Sequence, residues 1–147
     1  MPNEEAQQLV AKGLEALAND HEHLALTCFQ QAIRLEWTPL ACSGLAFCMA
    51  KVKRNYSEAI ILARKALDLE PDNPVHYKHL GRIFLLAGDN EQGIQILRHG
   101  MQYGEKVSIV QELERLGIRK PPIFKKLPRS HPLNKYLGLL LSWLGLR

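Results

Sequence analysis

The sequence predicts an all-α protein, a stack of helix–turn–helix repeats closed by a further helix. Three observations carry that expectation: the residue usage, a 34-residue self-similarity, and turn and cap signals that recur in step with it. Ala, Leu, Glu, Gln, Lys and Arg dominate the 147 residues, and these are the strong helix formers. Apolar residues make up 46 % of the chain, enough to bury a continuous core within one domain.

The repeat shows in small residues. Ala25, Phe29 and Ala32 are matched by Ala59, Ala63 and Ala66, and again by Gly93, Leu97 and Gly100, at a constant step of 34 residues. Spacings of four and three residues put each triplet on one helical face. Small side chains there admit a neighbouring helix, and the middle position fills the gap. Gly13 and Gly81 are separated by two periods.

Each helix pair has its punctuation. Thr38-Pro39 and Asn73-Pro74 read as an N-cap followed by proline in the first turn. Asn19-Asp20, Arg54-Asn55 and Gly88-Asp89 break the first helix of each pair from the second. Asp89 and Gln92 have capping-box spacing. The expected helices are 4–18, 22–35, 40–53, 56–69, 74–87 and 90–103, with a polar capping helix over 106–116 that Gly117 ends.

These residues resemble the tetratricopeptide repeat (TPR) family. Gly13, Ala25, Phe29 and Ala32 carry the resemblance in a first repeat over 6–39. Ala59, Ala66 and Pro71 carry it over 40–73, and Tyr77, Leu80, Gly81, Phe84 and Leu97 over 74–107. Repeat two departs most, with Phe47 where a small residue is usual, and Trp37 replaces the terminal proline of repeat one. The resemblance implies a right-handed α-solenoid that acts as a non-catalytic adaptor, binding a partner protein or peptide in its concave groove. Carried over residue by residue, the groove holds Gln7, Val10, Leu14, Leu17, Cys48, Lys51, Val75, Lys78, Arg82 and Leu85. It reads as apolar toward the N-terminal side and basic around Lys51, Lys78 and Arg82, which suits a peptide with an apolar anchor and a carboxylate. The family's clamp for chaperone C-terminal carboxylates is disfavoured, because its positions hold Val10, Leu14, Leu45, Val75 and His79.

Catalytic, metal and cofactor signals are weak. Cys28, Cys42 and Cys48 form no CxxC pair and read as small buried residues. His21 and His23 flank a helix start, and His76 and His79 lie three apart; without a third ligand they read as surface or turn histidines. No dinucleotide, phosphate-loop or nucleophile-elbow motif occurs. No catalytic residue, metal site, cofactor or small-molecule substrate is expected, and an enzyme is the remote alternative.

Charge sets the C-terminal part apart. The protein carries +4 overall, but residues 118–147 carry +7 through Arg119, Lys120, Lys125, Lys126, Arg129, Lys135 and Arg147, and the remainder −3. The sequence therefore divides into a repeat domain over 1–117, a basic, proline-rich linker over 118–132, and an apolar helix over 133–147. In that last segment Leu133, Tyr136, Leu137, Leu140, Leu141, Trp143 and Leu144 need burial. Its own solenoid, a second copy in a homo-oligomer, a partner or a membrane surface would each supply it. The run is too short for a transmembrane span, which takes about 20 residues. Its basic flank and Trp143 suit an interfacial anchor, so a peripheral membrane protein is the alternative function. Nucleic acid is disfavoured, since the basic stretch lacks interleaved aromatics. The N-terminus has no basic and apolar secretory leader, which predicts a cytoplasmic location, with the inner membrane surface as its variant.

Overall fold

Three helix pairs follow one another. In this computed structural model residues 2–104 and 106–115 are described. The first pair is α1 (Glu4–Ala18) and α2 (Glu22–Leu35); the second is α3 (Pro39–Cys48), continued by a π-helical turn over Met49–Lys53, and α4 (Tyr56–Leu69). The third is α5 (Pro74–Leu86) and α6 (Asn90–Gly100), the latter ending in a 3-10 turn over Met101–Tyr103; α7 spans Lys106–Arg115. No strand occurs among the described residues. The chain divides into two compact units, Met1–Gln111 and Glu112–Arg147. The first holds all three pairs. The described part of the second is the end of α7, with Leu113 buried.

Local chemistry starts the helices where the sequence indicates. Asn3 Oδ1 accepts from Ala6 N at 3.1 Å, Thr38 Oγ1 from Ala41 N at 3.2 Å, and Asn73 Oδ1 from Val75 N at 3.0 Å. Asp89 Oδ1 accepts from Gln92 N at 3.2 Å, and the Gln92 amide donates back to Asp89 Oδ2 at 2.8 Å. Such a cap contributes about 1 kcal/mol each. Pro39 and Pro74 occupy first-turn positions, where no intrahelical donor is lost.

The break inside each pair is also periodic. Asp20, Arg54 and Gly88 all have positive φ, at 58°, 54° and 90°, and they stand 34 residues apart. One left-handed residue per pair reverses the chain after the first helix.

Close approach explains the small-residue pattern. A Cβ on Gly13 would lie 2.8 Å from Phe29 Cε1, and one on Gly81 would lie 2.6 Å from Leu97 Cγ. These are the same contact, two periods apart. Repeat two inverts it, with Phe47 on the first helix and Ala63 on the second, both buried in one core cluster. Phe29 also lies against Gly44, where a Cβ would be 2.5 Å from its Cζ, so one ring links α1, α2 and α3. Ala25, Ala32, Ala59, Ala63 and Ala66 are all fully buried.

Candidate functional site

The first helices of the three pairs, α1, α3 and α5, bring two adjoining clefts together. The first, of about 310 Å³, is lined by Ala6, Gln7, Val10, Ala11 and Leu14 of α1, with Glu36, Thr38 and Leu40. The second, of about 180 Å³, is lined by Leu14, Leu17 and Ala18 of α1 and by Val75, Lys78, His79 and Arg82 of α5. Leu14 belongs to both. The first wall is apolar; the second adds two cations and an imidazole.

The groove residues expected from the sequence are distributed unevenly. Gln7, Val10 and Leu14 line the first cleft, and Leu14, Leu17, Val75, Lys78 and Arg82 the second. Lys51 is exposed but lines neither. Cys48 is fully buried in the cluster around Phe29, so its side chain offers no surface to a partner. Leu85 packs toward α6, where a Cβ on Gly93 would meet it at 2.8 Å. The segment holding Leu133, Tyr136, Leu137, Leu140, Leu141, Trp143 and Leu144 lies outside the described residues.

His76 and His79 correct the reading of them as surface or turn residues. His76 is fully buried and His79 is 4 % exposed. They join a hydrogen-bonded chain that crosses from the second pair to the third. His76 Nε2 meets Glu70 Oε2 at 2.7 Å, and His76 Nδ1 meets Ser43 Oγ at 2.8 Å. Ser43 Oγ meets His79 Nδ1 at 3.1 Å. Asn73 Nδ2 donates to Glu70 Oε2 at 2.9 Å. Burial is tolerated here because both His76 nitrogens, the Ser43 hydroxyl and Nδ1 of His79 have partners. The sequence separations of 33 and 36 residues between Ser43 and the histidines are close to one repeat. Side chains so spaced occupy neighbouring places on adjacent first helices, a signal that the repeat itself offers.

The electrostatics follow from this geometry. Burial, reinforced by Arg82, Lys78 and His76, holds the His79 ring down to about 3, so it is neutral. Burial pushes the Glu70 carboxyl up, but hydrogen bonds from Asn73 and His76 outweigh it and leave it below the usual range. His79 stacks on Phe47 with ring centroids 5.9 Å apart, and the Arg82 guanidinium lies over the same ring at 4.1 Å. Phe47, anomalous against the family pattern, thus carries two of the three polar groups of the second cleft, His79 and Arg82.

The order Glu70–His76–Ser43 has the outline of a nucleophile with its base and acid, but Ser43 is fully buried and its Oγ is closed to a substrate. Burial raises the Cys48 thiol to about 12 and also raises Cys42, which leaves both as inert thiols. Among the described residues no three His, Cys, Asp or Glu side chains gather to hold a metal ion. No helix among them is long and apolar enough to cross a membrane.

No family model matches the chain. Among solved structures, the Sgt2 TPR domain from Aspergillus fumigatus is similar over 91 % of this chain and 95 % of that domain, with a TM-score of 0.57 and 15 % identity. Yeast Tom70 is similar over 93 % of this chain and 34 % of its own, with a TM-score of 0.49 and 22 % identity. The likeness to the Sgt2 domain shows the fold: the chain is an all-α solenoid of TPR type.

Proposed function

We propose, starting from the TPR fold, that this chain is a non-catalytic adaptor that seats a segment of a partner protein across α1, α3 and α5. An apolar side chain of the partner fills the first cleft, and a carboxylate approaches Lys78 and Arg82 in the second. The single observation that carries this reading is the sharing of Leu14 between the two clefts, which makes one continuous apolar-to-basic track. Arg–carboxylate pairing is strong and directional, and partial enclosure reduces its competition with water. The closed Oγ of Ser43 and the raised thiols favour an adaptor over an enzyme.

The test is a quantitative comparison of captured proteins. Wild type and a Lys78→Glu/Arg82→Glu double variant are each used as bait, with helicity and melting checked first. A folded double variant loses the partner that wild type captures. Equal capture by the folded variant overturns the reading. Lys78→Glu alone serves where the double change disturbs Arg82 on Phe47.

A further inference from the structure

The chain Glu70–His76–Ser43–His79 runs from a carboxylate that is 40 % exposed to a ring that lines the second cleft. Its donors and acceptors can be counted. Glu70 is ionised and only accepts, so His76 Nε2 carries a hydrogen. With His76 neutral, its Nδ1 accepts, and the Ser43 hydroxyl must donate to it. Ser43 Oγ then accepts from His79 Nδ1–H, and His79 Nε2 is left bare. With His76 protonated, both hydrogen bonds at Ser43 reverse. His76 Nδ1–H donates to Ser43, Ser43 donates to His79 Nδ1, and His79, having given up its Nδ1 hydrogen, carries one on Nε2 instead. His79 stays neutral in both states.

We propose that His79 is the polar ligand contact of the second cleft, and that a carboxylate bound there draws a proton onto His76 through Ser43. Nδ1 of His79 is committed to Ser43, and the ring reaches the cleft, so Nε2 is the nitrogen it offers a ligand. A carboxylate only accepts, so it selects the Nε2–H form, and that form exists when His76 is protonated. The added proton enters from the cleft at His79 Nε2 while the hydrogens of His79 Nδ1 and Ser43 each shift one place toward His76, whose Nε2 already carries the hydrogen it gives Glu70; no covalent bond to the ligand forms.

The groups facing the two rings agree with this. Glu70, from the end of α4, stabilises a cation on His76. Lys78 and Arg82 of α5 oppose a cation on His79. From α1 the cleft receives Leu14, Leu17 and Ala18, and from α3 the rings receive Ser43 and Phe47. On α6, His99 lies against Tyr77, with centroids 5.1 Å apart. Charge therefore settles on His76 and hydrogen-bond polarity is passed to His79. The proposal rests on the groove reading for its ligand, but the relay itself is a property of the unliganded chain.

One competing arrangement has a place in the geometry. The Ser43 hydroxyl also lies 3.3 Å from Leu40 O. If its hydrogen stays on Leu40 O, His79 keeps Nδ1–H at every pH and no relay operates.

Ring-nitrogen NMR on the full chain tests this without any partner. The two rings are followed as pH is lowered until His76 is doubly protonated. In the same step His79 moves from the Nδ1–H to the Nε2–H tautomer and remains neutral. Sodium acetate added at constant pH shifts both rings the same way, and its affinity rises by up to about tenfold per pH unit on acidification, the limit for one linked proton. In Ser43→Ala the tautomer of His79 no longer follows His76; the wild-type result stands alone if that variant does not fold. A His79 tautomer that stays fixed while His76 titrates overturns the relay. A relay that operates while acetate moves neither ring overturns the ligand contact. Neither outcome depends on partner capture, so failure of the groove reading is seen separately.

Discussion

Phe29 closes directly over Gly13, leaving 2.8 Å between its Cε1 and the point where a β-carbon would stand. The ring is fully buried, with Gly44 on another side, so it has little freedom to withdraw. Gly13→Ala gains up to about 1 kcal/mol of helix propensity, but the overpacking costs typically about 1–3 kcal/mol. The expected outcome is a net loss of stability in urea or thermal unfolding. Adding Phe29→Leu to Gly13→Ala should cost less than the sum of the single changes, because the smaller side chain relieves the clash. Additive losses would mean the two residues do not share one contact.

Ala59 is fully buried on α4, whereas Ile61 on the same helix is 67 % exposed. Ala59→Leu overpacks the contact and lowers stability by about 1–3 kcal/mol. Ile61→Ala changes it by within about 0.5 kcal/mol. An unchanged melting temperature for Ala59→Leu contradicts the register of the repeat.

The burial of His79 predicts an acid-sensitive fold. Its folded value of about 3 lies below the ordinary 6.5, so between those limits the unfolded chain binds a proton that the folded chain refuses. Stability is present above the unfolded value and falls as pH drops through that window, at up to about 1.4 kcal/mol per pH unit. His79→Gln keeps a polar partner for Ser43 but does not titrate. Its stability curve should be flatter than that of wild type between about pH 6.5 and 3. Parallel curves would show that the acid loss originates elsewhere.

The caps and the left-handed breaks explain why so much of the fold was legible. Thr38, Asn73 and Asp89 act on backbone groups two or three residues away, and such local chemistry can be read directly; the Asn3 cap of α1 was not read. The period then pairs residues that are distant in sequence, as with Gly13–Phe29 and Gly81–Leu97. The π-turn over Met49–Lys53 was not legible, because it depends on how α3 ends against its neighbours. The buried histidines were missed for a related reason. The acceptability of His76 depends on Ser43 of α3 and on Glu70, the residue that follows α4. Cys48 shows the limit of carrying groove positions over one by one, since it is packed into the core cluster with Phe29.

The expectation for Leu133–Leu146 is checked by hydrogen exchange on the full chain in lipid-free buffer. Protection of amides 137–144 supports docking on protein, on its own solenoid or a second copy. Rapid exchange there, with protection appearing only on liposomes, supports the membrane anchor instead.

The central claim is that a partner segment lies along the track through both clefts. Site-specific photo-crosslinking tests it most directly, with the reactive group placed at Leu14, which lines both clefts, or at exposed Ile61 on α4. The account predicts that Leu14 captures the partner and Ile61 does not. Capture from Ile61, with none from Leu14 in an equally folded protein, would contradict it.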